Sequence, residues 1–139
     1  MDSKPHPSRN LSNQSEAVIH FLKVLDIDMI SLVLDDNRTY QDFKKHVFIQ
    51  KLAAALDQFV QSGDAYLNHY NGFCNSELCN YRCKGYSFVG NNSGNYFNLI
   101  FSVEDGVVND IYECTEFKCL DENVKTNERI EIDKFKMPF

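Results

Sequence analysis

The segment Cys74-Asn-Ser-Glu-Leu-Cys79-Asn-Tyr-Arg-Cys83 gathers three of the chain's five cysteines, and Cys114 and Cys119 follow downstream. The spacing C-x4-C-x3-C is close to that of a metal knuckle, but it lacks the tight C-x2-C pair. A zinc site on Cys74, Cys79 and Cys83 would need a histidine or water as its fourth ligand, because zinc prefers a tetrahedron of thiolates and imidazoles. Two other readings stand beside it. One is a Cys74–Cys83 bridge across a hairpin. The other is that Cys83 and Cys114, on strands, are small buried hydrophobes. The odd number of cysteines counts against a disulfide framework.

A second set of residues has the types needed for proton transfer. Asp110 and Tyr112 alternate with Val108 and Cys114 along one predicted strand, with Tyr86 on a neighbouring strand and Tyr40 before a helix. A carboxylate base with a tyrosine donor is a workable acid–base pair. His69, beside Tyr70, is an alternative base, since histidine titrates near neutral pH. The bland alternative is tyrosines packed on a sheet surface with their hydroxyls in water. His6 sits in the N-terminal arm, and His20 and His46 lie in predicted helices beside apolar positions, where core-edge packing is expected over ligation.

Composition narrows the field. The chain has 139 residues, 43% hydrophobic, long enough for one domain with its own core. No apolar run approaches the ~18 residues of a membrane span. Residues 1–13 carry two prolines and mostly polar side chains, and they read as a disordered arm before a single domain over 14–139. No hydrophobic stretch near the start resembles a secretory signal, which predicts a cytoplasmic chain with reduced thiols. The net charge is −6, with 14 basic and 20 acidic residues. That balance argues against nucleic acid, whose phosphates call for a basic face, and no membrane partner is expected. Neither a phosphate-binding glycine loop nor a G-x-S-x-G elbow occurs.

These residues must be positioned by a helical first half and a strand-rich second half. Val18, Phe21, Leu22 and Leu25 repeat at helical spacing, predicting a helix over 15–25. Asp26 is placed to N-cap a second helix over 26–34. Phe48, Leu52, Leu56 and Phe59 form one stripe of a third helix over 44–61, with Gly63 as its C′ residue. Beyond Gly63 the period becomes two. Strands are predicted at 65–73, 81–89, 96–103 and 107–117, with Asp105-Gly106 as a hairpin turn. A fifth, at 129–135, alternates Ile130 and Ile132 with charges and reads as an edge strand. Helices followed by hairpins indicate an α+β fold with an antiparallel sheet. In the register these hairpins imply, Cys74, Cys79 and Cys83 lie apart from Cys114 and Cys119.

Leu25-Asp-Ile-Asp-Met-Ile-Ser-Leu-Val-Leu-Asp-Asp36, the long third helix, and Asp105-Gly-Val-Val108 in a D-G-x-V/I hairpin together resemble the nuclear-transport-factor-2-like superfamily over residues 15–118. The superfamily includes ketosteroid isomerase, SnoaL-type polyketide cyclases, scytalone dehydratase and catalytically silent pocket proteins. The resemblance implies a cystatin-like cone, in which a strongly curved antiparallel sheet holds the N-terminal helices in its concavity and encloses an apolar cavity. Tyr40, Phe48, Leu52 and Tyr86 would line that cavity. It also implies a homodimer through the open face of the sheet. Two functions follow as expectations: a pocket protein for a small apolar or aromatic ligand, or a lyase or isomerase acting on a cyclic apolar substrate. A zinc-stabilised interaction module is a third. Apart from that zinc, no cofactor is implied.

Overall fold

The structure, a computed structural model, describes residues 14–75, 84–114 and 116–134. It is α+β: three helices lie against one face of a five-stranded antiparallel sheet. Helix α1 spans Gln14–Lys23, α2 Ile27–Val33 and α3 Lys45–Gln61, with a short hairpin, β1 (Thr39–Tyr40) and β2 (Phe43–Lys44), between the last two. The main sheet follows as β3 (Leu67–Cys74), β4 (Lys84–Gly90), β5 (Tyr96–Glu104), β6 (Val107–Glu113) and β7 (Phe117–Cys119), in the order β6-β5-β4-β3-β7. No helix among the described residues is long and apolar enough to cross a membrane.

Local chemistry fixes the helix ends. The Asp26 carboxylate accepts the Met29 N–H at 3.1 Å and caps α2. At the end of α3, Gly63 adopts φ +87° and its N–H bonds the Val60 carbonyl. Asp64 N–H bonds the Phe59 carbonyl at the same turn. This pair of bonds is a Schellman motif, and the left-handed backbone at its centre is the reason for glycine. The hydrophobic stripes then meet the sheet. Val18, Leu22, Phe48, Leu52 and Phe59 pack with Phe88, Phe97, Leu99 and Ile111 in one core.

The strand register shows which residues share a face. Leu67, His69, Asn71 and Phe73 of β3 point toward the helices, as do Tyr86 and Phe88 of β4, their cross-strand partners at Asn71 and His69. Ile100 of β5 lies on the other face with Tyr112, its partner on β6. A bulge between Ser102 and Val103 shifts the β5–β6 register, pairing Val103 with Val108 but Ser102 with Asp110. Val108 is therefore turned into the helix-side core while Tyr112 faces away, so the simple alternation expected along this strand is broken.

The predicted fourth strand also ends early. Instead of running to Phe117, it stops at Glu113, and the chain crosses to the far edge of the sheet, where Phe117–Cys119 pairs with Gly72–Cys74. Glu113 and Phe117 are four residues apart, at most ~14 Å of chain. In a flat sheet β6 and β7 would be ~19 Å apart, four ladder steps of about 4.8 Å. The sheet is therefore not flat at this end, but it is neither closed nor strongly curled. The crossing seats the Phe117 ring over Gly72, while Ile100 and the Leu99 carbonyl press on Gly85, the cross-strand partner of Gly72.

The segment expected as a fifth strand over 129–135 takes another form in its described part. Arg129 makes a single parallel bridge to Tyr96, and Ile132–Lys134 is a 3₁₀ turn. The Glu113 carboxylate accepts the Ile132 and Asp133 N–H groups, at 2.9 and 3.0 Å, and so takes the donors a strand would need. Ile132 plugs the main core, fully buried.

The glycine pair generates a stability prediction. A Cβ at Gly85 would overlap the Leu99 carbonyl and Ile100. Replacing Gly85 by Ala is expected to cost about 1–3 kcal/mol, the range for overpacking, read as a lower urea midpoint with an unchanged slope.

Candidate functional site

Among the described residues, two places stand out for their polar or aromatic groups. The first surrounds the β1–β2 turn. Gln41 and Asp42 both have positive φ, 53° and 65°, as a two-residue type I′ hairpin requires. Neither is glycine, so the turn is strained and must be held. Gln41 N–H donates to Asp110 Oδ1 at 2.9 Å, and its side-chain Nε2 donates to Glu113 Oε1 at 3.0 Å. Glu113 N–H donates back to the Gln41 Oε1 at 3.0 Å. The turn is thereby pinned to edge strand β6. A cavity of about 230 Å³ opens beside it, lined by Gln41, Asn98, Glu113, Cys114, Arg129, Glu131 and Asp133.

The carboxylates here are committed to backbone and, for Glu113, also to the Gln41 side-chain amide. Asp110 accepts from both Gln41 and Ile111 N–H, and Glu113 from Ile132, Asp133 and Gln41. Burial raises the Asp110 carboxyl above the ordinary aspartate range, against the lowering effect of its two backbone donors. Arg129 pairs with Glu131, which also pairs with Lys134. This is a brace that holds a strained turn and the 3₁₀ segment in place.

The second place is the Phe73–Lys84 end of the sheet on the helix side. Phe73, Tyr86, Asn71, Lys84 and Leu120 surround a groove of about 500 Å³, with the bare backbones of Gly72 and Gly85 as its floor. Leu120, just past β7, is 63% exposed and forms one wall, fixed by its N–H to the Asn71 carbonyl at 2.8 Å. A second depression adjoins the groove, lined by His69, Tyr70, Asn71 and residues 120–123. Behind both lies an aromatic array. His69 is 5.7 Å from Tyr86 and stacks on Phe88 at 6.3 Å, and Tyr86 meets Phe101 edge-to-face at 5.6 Å.

The residues singled out by sequence divide between these regions. His69 and Tyr86 come together in the second. Tyr40, Phe48 and Leu52 are buried in the main core, the Tyr40 and Phe48 rings 5.5 Å apart. The Tyr40 hydroxyl accepts the Asp35 N–H at 3.0 Å, and burial pushes its pKa up. Asp110 lies in the brace, and Tyr112 packs on the opposite face of the sheet from Tyr86. Cys79 and Cys83 lie outside the described residues. Cys74 is buried with Cys114 in a small cluster containing Ile100, which corrects the expected separation of those two cysteines. The reason is the crossing after Glu113, which the hairpin register alone could not show. Among the described residues no group of three or more His, Cys, Asp or Glu is placed to hold a metal.

Sequence reasoning missed Phe73, Asn71, Lys84 and Leu120. Phe73 and Lys84 are cross-strand partners, and their shared face becomes readable only once the register is fixed.

Burial, with a contribution from nearby Lys23, lowers the His69 pKa below the ordinary histidine value. The folded state then binds this proton less readily than the unfolded chain. Its contribution to stability is complete above the unfolded pKa, near 6.5, and is lost as pH falls through the folded value. Urea titrations of the His69→Gln variant are expected to lack the part of the stability loss below about pH 6.5 that the wild type shows on acidification.

No protein-family model, no curated protein and no solved structure matches this chain.

Proposed function

We propose that the protein is a non-enzymatic binding module for a small aromatic ligand, held in the groove bounded by Phe73, Tyr86 and Leu120. The observation that carries this reading is the groove itself. It has the volume usual for ligand pockets, roughly 300–1,000 Å³, and two aromatic side chains and an exposed leucine form its walls. A backbone floor at Gly72 and Gly85 lets a flat ring approach closely. Asn71 and Lys84 at the rim supply the few polar contacts that orient a ligand.

The order of elements supports a nuclear-transport-factor-2-like assignment: three helices, then consecutive antiparallel strands, with the helices on one face. In this reading the departure from flatness at the β6–β7 crossing belongs to the wider curvature of a cone, and a second copy of the chain associates through the sheet. The enzymatic alternative, a lyase or isomerase using Asp110 as base, is less favoured. The Asp110 Oδ1 already accepts two backbone N–H groups, and a base needs a lone pair free to meet a substrate proton. A His69 base remains compatible with the geometry, because the ring is held neutral beside the groove.

Binding can be followed by tyrosine emission, since the chain has seven tyrosines and no tryptophan. Two-ring aromatic compounds are expected to perturb it saturably in the wild type. Phe73→Ala and Tyr86→Ala should each weaken binding about tenfold or more, a loss of roughly 1.4 kcal/mol. Unchanged affinity in both variants would remove the groove as the site. Asp110→Asn should leave affinity and stability nearly unchanged, because the amide oxygen still accepts both N–H groups. Asp110→Ala should cost about 1–3 kcal/mol of stability by leaving those donors unpaired.

A further inference from the structure

We infer that Cys74 and Cys114 form an oxidation site: a thiol pair, built across the sheet face turned away from the helices, that closes to an intramolecular disulfide. The two residues are far apart in sequence and on non-adjacent strands. The crossing from β6 to β7 brings them together in one apolar cluster with Ile100, flanked by Tyr112 and Phe117. Each residue is only 8% exposed.

Both cysteines belong to the same buried cluster with Ile100. Burial, with a further contribution from neighbouring Cys74, pushes the Cys114 pKa up to about 11. In this pair Cys74 reacts with the oxidant and Cys114 resolves it. Cys119 faces Gly72 across the ladder and lies outside this cluster.

Burial selects the chemistry. A largely covered sulfur admits a small oxidant more readily than a bulky disulfide, so the co-reactant is a hydroperoxide. The Cys74 thiolate attacks one peroxide oxygen; the S–O bond forms, the O–O bond breaks, and the leaving oxygen takes a proton. With hydrogen peroxide this step releases water and leaves a sulfenic acid. Cys114 then loses its proton and attacks the Cys74 sulfur. The S–S bond forms, the S–O bond breaks, and a second water departs. Two thiols and one peroxide give one disulfide and two waters. The bond would close a loop containing β4, β5 and β6, a long loop of the kind whose closure most restricts the unfolded chain.

The test uses the full chain, reduced and then treated with hydrogen peroxide, with peptide mapping under non-reducing conditions. The expected product has lost two hydrogens and contains a Cys74–Cys114 cross-link that dithiothreitol reverses. Its melting temperature should rise by roughly 5–10 °C. In Cys114→Ser the cross-link and the thermal shift should both vanish, and Cys74 should be trapped by dimedone as its sulfenic acid. A bridge from Cys74 to Cys79, Cys83 or Cys119 would overturn the inference. So would Cys74 and Cys114 remaining thiols under conditions that oxidise Cys119. The wild-type map decides the matter even if a variant fails to fold.

Discussion

The absence of side chains at the paired residues Gly72 and Gly85 is the constraint on which the far end of the molecule depends. These two positions face each other across β3 and β4. On one face the missing Cβ atoms let the Phe117 ring and Ile100 settle against backbone. That seating holds β7 on the edge of β3, which in turn puts Leu120 at the groove wall. On the other face the same bare backbone is the groove floor. One pair of glycines therefore serves a packed surface and an open one, back to back.

The opposite edge of the sheet is organised by a different economy. The hairpin at Gln41 and Asp42 holds two non-glycine residues in left-handed conformations, at a cost of roughly 1–2 kcal/mol each. The acids on β6 offset this strain. Asp110 receives the turn's backbone, and Glu113 receives its side chain along with two N–H groups of the 3₁₀ turn. Carboxylates that read in the sequence as candidates for proton transfer are here structural acceptors. The difference lies in what occupies their lone pairs, and only coordinates can supply that.

The sequence was most legible where local chemistry acts alone. Asp26 as N-cap, Gly63 as C′ residue and Asp105-Gly106 as a hairpin turn all depend on near neighbours, and each appears in the structure. The α+β class followed from the change of period at Gly63. What could not be read was set at long range. The bulge at Ser102 sends Val108 to the core, because register shifts leave no composition signal. The break after Glu113 lies inside a stretch that reads as one continuous strand. The segment near Arg129 alternates like a strand, but Glu113 captures its donors. His69 and Tyr86 were found at the site by residue type, while Phe73 and Leu120 needed the ladder pairings of β3 with β4 and β7.

Gln14 has a consequence for how the chain reaches this state. Its side-chain amide donates to the Val33 carbonyl at the end of α2 and accepts the Val108 N–H at 2.5 Å, across a sequence separation of 94 residues. Both backbone groups belong to a buried environment and are left without this partner until the amide arrives. The amide therefore ties the helical layer to the last hairpin. Contacts of such long sequence separation slow folding because loop-closure entropy must be overcome before they form.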